Sequence, residues 1–199
     1  MKLRIRYNSP VILTFALLSA LVLLVDQLSG GAVIRTWFTL QPFFDAHSLL
    51  SWLRLVTYVM GHVSWAHLIG NFSFILLIGP VLEEKYGSLP ILLMMLVTAL
   101  ATAVLNLLLV HAGLLGASGI VFMLILLSSF TNIRKGEIPI TFILIVALYL
   151  VRELVNAFTP DTVSQLAHIA GGLIGGLFGF LFSRRDTPPA AAGGGIAKE

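Results

Sequence analysis

Four polar residues stand out within apolar stretches of this 199-residue chain: His67, Asn71, Ser118 and His168. A polar side chain in apolar surroundings is costly and turns toward partners inside a bundle. His67 and Asn71 are four apart, which on a helix puts both on one face, about one turn apart. Both donate hydrogen bonds without carrying charge. Ser118 lies in Gly116-Ala117-Ser118-Gly119. A serine among small residues at a loop-to-helix junction can have an exposed hydroxyl, and the helix N-terminus favours a developing oxyanion. His168 is followed on its own helix face by Gly171 and Gly175, at spacings of three and seven. Gly172 and Gly176 add a further small-x-x-x-small pair that admits a neighbouring helix. A nucleophile, a base and two hydrogen-bond donors are the groups that acyl transfer needs. Taken singly, each has a structural reading: an interhelical hydrogen bond for His67 and Asn71, a close-packing site around Ser118, and a histidine satisfied by a backbone carbonyl for His168.

The elements that must position these residues are membrane spans. The chain is 58% hydrophobic and 11% charged, against about a quarter charged in soluble domains. That balance excludes a disordered chain, a coiled coil and a nucleic-acid-binding domain. Six apolar runs approach the roughly 20 residues that cross a bilayer: 10–28, 66–82, 89–110, 115–131, 138–157 and 163–182. Residues 1–9 read as a cytoplasmic N-terminus, 10–183 as the membrane domain and 184–199, with its Pro-Pro and Gly-Gly-Gly runs, as a disordered cytoplasmic tail. With six spans, Lys2, Arg4, Arg6, Lys85, Arg134, Lys135, Arg184 and Arg185 share one side, which is then cytoplasmic. Spans two, four and six all start on the opposite side. His67, Asn71, Ser118 and His168 therefore fall within roughly 10 Å of one surface. The connection at about 29–65 holds Trp37, Phe38, Phe43, Phe44 and Trp52, and reads as a loop folded onto the membrane interface. There is no cysteine, so no disulfide or thiolate site exists.

With these residues in order, the chain resembles the rhomboid family of intramembrane serine proteases, in its prokaryotic six-helix form. The resemblance is carried by His62, His67 and Asn71 in the His-x4-His-x3-Asn pattern, by Gly116-Ala117-Ser118-Gly119, and by Ala167-His168 with Gly171 and Gly175. Glu83 to Gly87 resembles the family's Glu…Gly turn. The match covers about residues 52–182. It implies an all-α membrane protein, a six-transmembrane-helix rhomboid-like bundle with an interfacial first loop. It also implies a Ser–His dyad without an aspartate. Ser118 would attack the scissile carbonyl, and His168 would move the proton. His67, Asn71 and the Ser118 backbone N–H would stabilise the oxyanion, with His62, Gly116, Gly119, Phe122, Gly171 and Gly175 in support. No metal or other cofactor is implied. The implied partners are transmembrane protein substrates within the lipid bilayer of the plasma or inner membrane, cleaved near the non-cytoplasmic face.

Two departures from the family pattern are visible. Arg54 follows Leu53 rather than a tryptophan, which stands one position earlier at Trp52, and Phe122 replaces a tyrosine expected to stack on the catalytic histidine. Asp161 precedes span six and makes a poor third member of the dyad. Span five and the loop 156–161, with Pro160, read as a gate for substrate and water. Three other readings exist: a catalytically inactive rhomboid-like protein that binds transmembrane helices, a small transporter, and a zinc site from His62, His67 and His168. The transporter lacks charges deep in its spans, Arg152 and Glu153 lying near an interface. The zinc site lacks a carboxylate. His47 and His111 fall in loops and read as solvated.

Overall fold

The computed structural model describes residues 7–132, together with ten helical positions at 140, 143, 144, 147, 148, 151, 173, 174, 177 and 178. Apart from those positions, the expected spans 138–157 and 163–182 lie outside the described residues. So do the gate loop, the tail, His168, Gly171 and Gly175.

The described elements are α1 (Pro10–Leu28), α2 (Ala32–Trp37), α3 (Leu49–Thr57), a 3₁₀ turn (Tyr58–Met60), α4 (Trp65–Tyr86), α5 (Ser88–Leu105), a π-helical turn (Asn106–Val110) and α6 (Ser118–Asn132). Three of the described helices, α1, α4 and α5 with its π turn, are long and apolar enough to cross a membrane. Their outward faces are apolar rather than polar: Leu17 and Leu21 on α1, Leu77 and Val81 on α4, and Leu93 and Leu100 on α5 are all exposed.

Helix α1 starts at Pro10, whose fixed φ suits a first helical position. Its N-cap Ser9 makes no side-chain cap. The cap comes instead from α4, where the buried Glu83 carboxylate accepts the Val11 and Ile12 N–H groups, each at 3.0 Å, and the Ser88 hydroxyl at 2.7 Å. An anion at a helix N-terminus satisfies orphan donors and complements the helix dipole. At the other end of α1, Asp26 accepts the Ile34 N–H at 2.7 Å and so supports the first turn of α2. Gly79 lets α1 and α4 approach closely, since a Cβ there would stand 2.8 Å from Ile12 Cδ1.

Helix α6 is the centre of the described bundle. Residues 117–125 and Leu127 are buried, so the helix is enclosed on all sides. It packs against α4 and α5. The expected first run matches α1 at both ends. The second extends past 82 to Tyr86, because Glu83 is buried as the α1 cap rather than solvated. The fourth was expected from 115, but its helix starts at Ser118. Leu114 is occupied in an antiparallel backbone pair with Leu40 (2.9 and 3.0 Å), and Gly116 has φ +109°, so the chain cannot be helical there.

The first loop is structured by hydrogen bonds. The Arg54 guanidinium donates to the Thr36 carbonyl, from Nε at 2.8 Å and also from Nη2. Trp52 donates to the Ala46 carbonyl at 3.0 Å and meets Phe44 edge-on at 4.9 Å. The displaced Trp-Arg pair is thus accommodated with both side chains engaged.

Candidate active site

Helix α4 begins with a serine cap: Ser64 Oγ accepts the His67 N–H at 3.1 Å. His67 and Asn71 follow in its first two turns, on one face as the spacing requires. Asn71 is buried. His62 sits in the turn just before the helix and is fully buried. Its Nδ1 lies 3.2 Å from the Met60 carbonyl and its Nε2 3.2 Å from the Asn71 amide nitrogen. Its ring meets His67 edge-on at 5.0 Å and Phe72 at 5.7 Å. Burial pushes the His62 imidazole down to about 3, with the neighbouring His67 adding to the shift and the Met60 carbonyl opposing it. His62 is therefore neutral at physiological pH.

Ser118 is the first residue of α6 and is nearly buried, at 4% exposure. At that position the helix directs its leading N–H groups outward from its end. Gly119, the next residue, and Phe122, one turn on, are also buried. The loop that delivers Ser118 is anchored at several points. The Gly116 N–H donates to the Tyr58 carbonyl at 3.0 Å, Leu114 pairs with Leu40, and Asn106 Nδ2 donates to the Ala112 carbonyl at 2.8 Å. Tyr58 is itself fixed, its hydroxyl donating to the Ala99 carbonyl at 3.1 Å, and burial raises its pKa so that it stays a donor.

Gly116 joins the two halves of the site. A Cβ there would fall 2.9 Å from His67 Cε1, 3.1 Å from His67 Nε2 and 3.8 Å from Asn71 Nδ2. The backbone two residues before Ser118 therefore packs directly on the two side chains expected to act as oxyanion donors. The structure brings His62, His67, Asn71 and Gly116 together, with Ser118 two residues further along the chain. His47 and His111 are exposed in loops, as expected. Sequence reasoning missed the anchors Leu40, Tyr58 and Asn106. Asn106 carried a legible signal, a carboxamide within the apolar run 89–110, whereas nothing in the sequence marks the Leu40–Leu114 pair.

The rhomboid domain model matches residues 50–185. The chain belongs to the rhomboid family. With its apolar helices, this rhomboid is a helical membrane protein. It is similar to the rhomboid-like protein 11 of Arabidopsis thaliana chloroplasts, with 26% identity over 161 residues, 73% of this chain and 58% of that protein. The chain thus spans just over half of that relative's length. It is also similar to the rhomboid protease GlpG of Haemophilus influenzae, with 21% identity over 187 residues, 92% of this chain and 96% of that one.

Proposed function

We propose that this rhomboid is an intramembrane serine endopeptidase that cleaves transmembrane segments of other membrane proteins. The observation that carries the reading is Gly116, whose backbone seats the Ser118 loop against His67 and Asn71. Ser118 Oγ attacks the scissile carbonyl carbon as His168 takes the hydroxyl proton. The oxyanion accepts hydrogen bonds from the Ser118 N–H, the Asn71 amide and His67. His168 then passes the proton to the leaving amine, and water hydrolyses the acyl-enzyme by the same steps. Gly171 and Gly175 let the His168 helix approach, and Phe122, one turn after Ser118, supplies a ring against the base. Six spans place both termini in the cytoplasm of a plasma or inner membrane, and cleavage falls near the opposite face. Substrates present helix-breaking or small residues at the cleaved bond, since a helix hides its carbonyls.

The test is cleavage of a model transmembrane substrate by purified protein, with fluorophosphonate labelling in parallel. Wild-type protein is expected to cleave and label. Ser118→Ala is expected to do neither, and His168→Ala is expected not to cleave. A folded wild type giving neither signal would instead support an inactive rhomboid that binds transmembrane helices.

A further inference from the structure

His62 is a buried side chain that the acyl-transfer steps do not use. Its two ring nitrogens have different partners, and the difference fixes its proton. A backbone carbonyl only accepts, so Nδ1, facing Met60 at 3.2 Å, carries the hydrogen. A neutral imidazole has one N–H, so Nε2 offers a lone pair. The Asn71 nitrogen 3.2 Å away donates to it. We propose that His62 is a positioning residue that selects which end of the Asn71 carboxamide faces the nucleophile loop.

A carboxamide is two-faced: one end presents two donors and the other an acceptor. Only the donor end stabilises an oxyanion. With one N–H committed to His62, the second N–H remains on the same nitrogen. That nitrogen is the Asn71 atom nearest Gly116, two residues before Ser118. A cationic His62 would reverse the arrangement, because its Nε2–H would draw the amide oxygen instead. The enclosed site and the His67 imidazole 5.0 Å away both oppose that cation. The tautomer is set in turn by Met60, whose carbonyl is held in the 3₁₀ turn that the Gly61 N–H closes on Tyr58 at 3.1 Å. Orientation thus passes from Met60 through His62 to Asn71.

This inference rests on the oxyanion role proposed for Asn71, and the experiment separates the two. His62→Leu in the full chain is expected to lower kcat about 10- to 100-fold with KM nearly unchanged, a loss of the size seen when an oxyanion donor is misplaced. In an Asn71→Ala background the same change is expected to alter kcat by less than about twofold, because nothing remains to be oriented. His62→Gln keeps an acceptor near the Nε2 position and is expected to recover most of the loss. Equal losses in both backgrounds would show that His62 acts through the fold, and would overturn the proposal. Nitrogen-15 spectra of histidine-labelled protein read the tautomer without activity. Nδ1 is expected protonated and Nε2 bare, with the Nε2 resonance moved by Asn71→Ala. A protonated Nε2 overturns the proposal even in an active enzyme. Wild-type protein that neither cleaves nor labels overturns the protease reading, and the His62–Asn71 contact would then be a structural hydrogen bond only.

Discussion

Gly116 is the residue on which the site turns, and it tolerates no side chain. Its φ of +109° excludes L residues, and a Cβ would press on His67 at 2.9 Å. Gly116→Ala is expected to lower kcat about 10²-fold by displacing the proposed oxyanion donors, while the protein still folds. Steady-state cleavage beside a thermal melt checks this. His62 makes a second prediction. Its pKa falls from an ordinary 6.5 to about 3 on folding, so between those values the unfolded chain binds more protons than the folded one. Its contribution to stability is therefore complete above pH 6.5 and is lost as pH falls toward 3. The slope is up to about 1.4 kcal/mol per pH unit. Denaturant midpoints measured from pH 7 to pH 4 should show this slope, and His62→Gln should flatten it. At this scale the sequence was highly legible. Polar residues in apolar runs are few, and spacing alone put His67 and Asn71 on one face. The contact of Gly116 with both was not legible, because it depends on two chain segments meeting.

Among the elements, α1 and α4 show what hydropathy reads well and what it misses. Pro10 and the Ser29-Gly30-Gly31 run mark both ends of α1, and the expected run 10–28 coincides with the helix. The expected run 66–82 stops before Glu83, whereas α4 continues to Tyr86. Glu83 is buried, and its charge is answered by helix N–H groups from a segment 72 positions earlier, which no local pattern reveals. Glu83→Gln replaces one accepting oxygen with a donor amide that faces donors. The expected cost is roughly 1.5–3 kcal/mol, the range for hydrogen bonds to a charged group. Unfolding in mixed micelles measures it, and an unchanged midpoint would mean that α1 is held by packing alone. The start of α6 was expected three residues early for a related reason, since the Leu40–Leu114 pair holds the chain extended there.

For the whole molecule, the helix that carries Ser118 is enclosed by its neighbours α4 and α5. Ser118 is its first residue and is buried, and the loop just before it packs on α4 through Gly116. Orientation is testable because the chain has no cysteine to interfere. In intact cells an impermeant maleimide should label Phe43→Cys, whose side chain is 83% exposed, and spare Tyr7→Cys. The reverse pattern would invert the proposed topology. The cap on α1 bears on how the molecule is made. Helix α1 is synthesised before α4, yet the carboxylate that closes its leading end lies 71 and 72 residues downstream of the N–H groups it accepts. A ribosome that has extruded only α1 has produced a span with an unfinished end. That end can be closed only after the α4–α5 turn has left the exit tunnel.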